Sequence, residues 1–109
     1  MQRFHVAILV SGFVFCSGRI ASADEKDVQA VLDKAIASSK LIVTVEEHSV
    51  IGGLGSAVAE YKTAFRNAPP QLIIGLPDKF GKTADYKYLL NLYGLVGEQI
   101  AQKVLAYQN

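Results

Sequence analysis

Residues 42–61 read IVTVEEHSVIGGLGSAVAEY, and this stretch decides the fold. An apolar, β-branched run breaks into two carboxylates and a histidine. A glycine-rich turn follows, and then apolar residues at helical spacing. Leu41 to Val45 is mostly β-branched, and apolar but for Thr44, which suits a strand covered on both faces, and such strands belong to parallel sheets. Leu54, Ala57, Val58, Tyr61 and Phe65 repeat with the period of a helix that buries one face. A buried strand that delivers polar groups at its carboxyl end, beside the start of a helix, is the place where open α/β sheets set ligand and partner contacts.

The pattern continues on both sides. Before the strand, Val28, Val31, Leu32, Ala35 and Ile36 mark a helix. Asp24, Glu25 and Asp27 lie in its first turn and Lys34 and Lys40 toward its end, as the macrodipole prefers. Ser22 and Glu25 have capping-box spacing, and Ser38 and Ser39 close the helix. After the second helix, Asn67 to Pro70 ends helical structure, and Leu72 to Ile74 reads as a second buried strand stopped by Gly75 and Pro77. Beyond the polar loop Asp78 to Thr83, a helix is marked by Tyr86, Leu89, Leu90 and Tyr93, with Gly94 as its C′ residue. Ile100, Ala101 and Val104 mark a last helix. Alternating strands and helices give an α/β fold with a parallel sheet. Two firm strands make a thin sheet, whose open edge invites pairing.

Size and charge bound the rest. A chain of 109 residues holds at most one domain. Eleven basic against ten acidic residues leave a net charge of +1, so neither a basic field for nucleic acid nor an acidic tail is present. Cys16 is the sole cysteine, which excludes a disulfide framework or a thiolate metal cage within one chain. Residues 1–23 differ from residues 24–109. MQRFH carries an early charge, Val6 to Phe15 is almost wholly apolar, and Ala21-Ser22-Ala23 precedes Asp24, the pattern of a secretory signal peptide. The run is too short to span a bilayer as a helix. Bulky Phe15 argues against a lipoprotein reading of Cys16. Val6 to Val10 and Phe13 to Phe15 suit buried strand equally well.

VTVEEHSVIGGLGSAVAE (Val43 to Glu60) closely resembles the strand, turn and helix of transketolase C-terminal domains, and is similar to those of 1-deoxyxylulose-5-phosphate synthases. GLPDKFGKT (Gly75 to Thr83), YKYLLNLYGL (Tyr86 to Leu95) and EQIAQKV (Glu98 to Val104) resemble the end of that domain, above all in the C-terminal subunit of split transketolases. DEKDVQAVLDKAIASSK (Asp24 to Lys40) resembles the helix before the central strand. The resemblance implies a three-layer α/β/α fold with a mostly parallel sheet. Such a domain begins with a strand, a helix and a second strand, which residues 1–23 are too few to supply, so the sheet is expected to be incomplete at its N-terminal edge. Where the family's last helix opens with a threonine, this chain has Val96-Gly97, which removes a side-chain cap and predicts a frayed start.

By the same resemblance the chain is part of a thiamine-diphosphate- and Mg2+-dependent transketolase of the pentose phosphate pathway, moving a two-carbon ketol unit between sugar phosphates in the cytoplasm. The cofactor and substrate lie between a pyrophosphate-binding and a pyrimidine-binding domain, both absent here. The chain alone is therefore expected to bind no cofactor and to supply structure and intersubunit contacts in an oligomer, with no nucleic-acid or membrane partner. Two rivals stand beside this: a separate anion- or nucleotide-binding module, and a gene fragment without independent role.

The single residues agree with a structural role. Glu46 and Glu47 are neighbours on a strand, so their side chains point to opposite faces and form no acid/base dyad; one suits an interface or solvent, the other a backbone cap. His48 has the chemistry of a general base but no nucleophile or metal partner in view. Gly52, Gly53 and Gly55 could open a phosphate cradle on free amides, or serve a tight turn and close helix packing. The expected interface set is Glu46, Glu47, His48, Gly52, Gly53 and Gly55. Lys79 and Lys82, beside Thr83, form a small cationic loop.

Overall fold

The computed structural model describes residues 6–10, 13–16, 19–21, 25–79 and 81–109. The chain runs β1 (Val6–Val10), β2 (Phe13–Cys16), β3 (Arg19–Ala21), α1 (Glu25–Ser38), β4 (Leu41–Ser49), α2 (Leu54–Lys62), β5 (Gln71–Leu76), α3 (Tyr86–Leu92) and α4 (Gly97–Gln108). One sheet has the order β3-β2-β1-β4-β5. Its centre is parallel: Val6 pairs with Leu41 and Val10 with Val45, while Ile42 pairs with Gln71 and Val45 with Ile74. The fold is therefore α/β, but with more strands than the two firm ones read from the sequence. The N-terminal region contributes three, of which β2 and β3 add as an antiparallel meander instead of a strand–helix–strand unit. The Ser22 cap and most of the A-x-A segment lie outside the described residues.

β4 is the core. Residues 41–46 are all buried, and Ile42, Val43 and Thr44 are fully so. Alternation splits it between two layers. Ile42 joins Ala7, Leu32, Ala35, Ile36 and Val58 under α1 and α2; Leu41, Val43 and Val45 join Ile74 on the other face, where Leu95, Ile100 and Val104 cover them. Each such aliphatic side chain contributes about 1.5–3 kcal/mol on burial. The result is the expected three-layer α/β/α arrangement.

Three boundaries and one helix face differ from the sequence reading. β4 does not stop at Val45 but runs to Ser49 through an irregularity in its register with β5. α2 ends at Lys62; Phe65 lies beyond it, where Ala64 and Phe65 donate to carbonyls three residues back, and still packs against the core. β5 is not stopped by Gly75 but passes through it to Leu76. In α4, Ile100 and Val104 face the sheet while Ala101 is exposed. The ends of α3 and α1 match the reading. Gly94 has φ +71°, and the Leu95 and Gly94 amides donate to Leu90 O (2.9 Å) and Asn91 O (3.2 Å), closing α3 as a Schellman motif. Ser39 N–H and Ser38 Oγ donate to Ala35 O and Lys34 O at the end of α1.

Candidate functional site

The polar end of β4 resolves into two separate arrangements. Glu46 is only 2% exposed and lies on the α2 side. Its carboxylate accepts the Leu54 N–H at 2.6 Å through Oε2 and the Gly55 N–H at 3.0 Å through Oε1. These are two of the four amides that a helix N-terminus leaves without intrahelical partners. α2 has no side-chain cap from Gly53, the residue that precedes it; the carboxylate from β4 replaces it, with the negative charge at the favourable end of the dipole. Charge-assisted bonds of this kind contribute about 1.5–3 kcal/mol each.

The glycines make room for that carboxylate. A Cβ on Gly53 would collide with Glu46 Oε2, and a Cβ on Gly75 would lie 3.0 Å from both Glu46 Cγ and the His48 carbonyl. Gly55 brings α2 onto the sheet: its Cβ would fall 2.6 Å from Ile73 Cγ2 and 3.0 Å from Thr44 Oγ1. Gln71 tightens the same contact by donating from Nε2 to Gly55 O (2.9 Å) and Thr44 Oγ1 (3.2 Å). Gly52, at φ +76°, takes the left-handed conformation of the turn. Its N–H donates to Ser56 Oγ, which in turn donates to Val50 O. The turn is thus satisfied internally. The amides that would have cradled a phosphate already hold Glu46.

Glu47 points the other way, as neighbours on a strand must. It is exposed, and Tyr86 Oη donates to its Oε1 at 2.7 Å, joining α3 to β4. That bond raises the Tyr86 pKa above its ordinary 10.0. His48 is exposed, with Nδ1 3.0 Å from the Ser49 carbonyl, to which it donates in the Nδ1-protonated tautomer. All three border one cleft, but their hydrogen bonds run to separate partners: the α2 amides, Tyr86 and the Ser49 carbonyl. Among the described residues no three His, Cys, Asp or Glu side chains gather as a metal-binding group. Among those residues, too, no helix is long and apolar enough to cross a membrane. Lys79 and Lys82 are exposed at the rim of a cleft of about 640 Å³, with Ser49, Leu76 and Tyr93 among its other lining residues. Glu47 and His48 line a second cleft of about 680 Å³ with Val45, Leu95 and Ile100.

A strand whose terminal carboxylate caps the next helix over a glycine turn is a local arrangement that sequence relatives can be asked to share. The family described as the transketolase C-terminal domain matches residues 20–100. The chain belongs to that family. A transketolase C-terminal section from Methanocaldococcus jannaschii is 42% identical over 79 residues, which are 72% of this chain and 25% of the relative. The 1-deoxy-D-xylulose-5-phosphate synthases of Dictyoglomus thermophilum and Chlorobium luteolum are 37% and 41% identical over 75 residues, covering 69% of this chain and 12% of each synthase. Among solved structures, a split-gene transketolase in the form of an inactive β4 tetramer superposes with a TM-score of 0.65 at 34% identity, over 78% of this chain and 27% of that one. This transketolase C-terminal domain therefore spans about a quarter of the length of its transketolase relatives and about an eighth of the synthases.

The sequence located the site but not its wiring. It read Glu46 and Glu47 on opposite faces and left open which would cap. What it missed is that Gly53 and Gly75 are recessed around one carboxylate. Tyr86 as the partner of Glu47 was also missed, since 39 residues separate the two.

Proposed function

We propose that this chain is the architectural C-terminal part of a thiamine-diphosphate-dependent transketolase. It completes an enzyme that transfers a two-carbon ketol unit between sugar phosphates, and the surface around Glu47 to Gly52 meets the domains that hold the cofactor. The observation that carries this reading is the Glu46 cap. The one segment that combines carboxylates, histidine and a glycine turn spends its buried charge on holding α2 to β4, and its outward face on Tyr86 and solvent. Its residues do not fit thiamine diphosphate or Mg2+: the α2 amides already have an anion, and the described residues form no acidic cluster for the metal. In the complete enzyme those groups are held by the pyrophosphate- and pyrimidine-binding domains, and the sugar-phosphate chemistry takes place there.

The test is reconstitution. A protein from the same source carrying the two cofactor-binding domains is assayed for ketol transfer with and without this chain. Activity or stability of that protein that rises on adding the chain supports the reading. An unchanged rate, with no complex detected, overturns it.

A further inference from the structure

We infer that Ile51 is the apolar anchor of this chain on the protein that carries the cofactor-binding domains, its side chain filling a socket there. The inference rests on the proposed function and adds to it the residue that carries the affinity and the chemistry of the surface that receives it.

Ile51 is 63% exposed, more than any other large hydrophobic residue among those described. Single apolar side chains on a surface are common, so exposure alone decides nothing. The turn that holds Ile51 sets it apart. Its neighbour Val50 has a structural use: it lies against Gly75 of β5, where an added Cβ would come within 3.1 Å of Val50 Cγ1. Gly52 supplies the left-handed conformation that the turn needs. Such turns are dominated by glycine, proline, asparagine, aspartate and serine. A large hydrocarbon pointing into water between Val50 and Gly52 is what local structure does not explain.

The same turn is tied at every step. The Ile51 N–H donates to Ser49 Oγ (3.2 Å), the Gly52 N–H to Ser56 Oγ (3.0 Å), and Ser56 Oγ to the Val50 carbonyl (3.0 Å). The Val50 N–H donates to Leu76 O (2.9 Å), and the Gly53 carbonyl accepts from the Ala57 N–H (3.0 Å). Glu46 fixes the two amides that follow. A β-branched side chain adds little rotamer freedom of its own. Docking through Ile51 therefore orders little that folding has not already ordered, and this is the condition under which burial of a side chain is realised as affinity.

The place of the turn names the occupant. It closes the carboxyl end of β4, the side on which open α/β sheets make their contacts, and it continues the exposed surface of Glu47 and His48. The chain spans about a quarter of the length of its transketolase relatives, so in the proposed reading the larger part of the enzyme meets it here. A rigid apolar knob flanked by a carboxylate and an imidazole fits a small apolar socket with a polar rim, the arrangement of an interface hot spot.

Calorimetric titration of the whole chain into the protein from the same source that carries the two cofactor-binding domains decides it. Ile51→Asp should weaken the complex at least about tenfold, the loss expected for one buried aliphatic side chain. The variant's own circular dichroism and urea midpoint should stay at wild-type values, because the side chain it replaces is already in water. Ile51→Leu should keep most of the affinity. Leu105→Asp, at a position of equal exposure (62%) in the last turn of α4, should keep all of it. Wild-type and Ile51→Asp chains that bind equally overturn the inference and leave the proposed function standing. A wild-type chain that does not bind overturns both. Equal losses for Leu105→Asp and Ile51→Asp, or an Ile51→Asp effect confined to association of the chain with itself, overturn the inference alone.

Discussion

At the scale of single residues, the account turns on where a buried charge finds its partners. A carboxylate taken out of water is costly unless its oxygens are hydrogen-bonded, and Glu46 meets two amides at the positive end of α2. Removing it strands both donors in a partly buried site. Glu46→Ala is therefore expected to lower unfolding free energy by about 2–4 kcal/mol, read from urea denaturation at neutral pH. Glu47→Ala removes only an exposed bond and should cost far less. Comparable losses for the two would mean that the α2 cap is not what holds this turn. This asymmetry was half visible in the sequence. Strand alternation separates two adjacent glutamates without further information, whereas choosing the capping one requires knowing on which face of β4 the helix lies.

At the scale of elements, legibility followed the range of the deciding interaction. The end of α3 was readable because a left-handed glycine and two backbone bonds within six residues settle it. Gly75 was read as a strand stop because the reason for it is non-local: it leaves room for Glu46 Cγ and the His48 carbonyl of the neighbouring strand. Phe65 kept helical spacing after the backbone had left the α-helix, since its burial, not its hydrogen bonding, sets the period. The N-terminal strands have a composition that serves a secretory leader as readily as a sheet.

Two tests belong at this scale. α4 begins at Gly97 behind Val96, which has extended backbone angles (φ −76°, ψ 141°) and no side-chain bond to offer. Val96→Thr supplies a capping oxygen in a geometry already suited to it. It should raise stability by about 1 kcal/mol, seen as a higher denaturation midpoint and slower amide exchange in the first turn of α4. The second concerns α1 and α2, which are joined by Tyr61 Oη donating to Asp33 Oδ1 at 2.6 Å. That bond raises the Tyr61 pKa above 10.0. The folded state thus holds the phenolic proton more tightly than the unfolded chain does. Its contribution is complete below pH 10.0 and is lost as pH rises through the raised value. The stability difference between wild type and Tyr61→Phe should therefore be constant at neutral pH and shrink in alkali. A difference that grows with pH would contradict the assignment.

At the scale of the whole molecule, one central strand organises three layers, and the two carboxylates that look catalytic in the sequence tie α2 and α3 to it. The chain spans about a quarter of the length of its transketolase relatives, and the proposed function sets its polar surface against the remaining domains. The central claim is that this piece completes a transketolase and does not bind the cofactor by itself. Isothermal titration with thiamine diphosphate and Mg2+ tests it most directly when performed on this chain, on a protein from the same source carrying the two cofactor-binding domains, and on their mixture. The account predicts no heat of binding for the chain alone, and binding in the mixture at least as tight as in the partner. Saturable binding to the chain alone would contradict it.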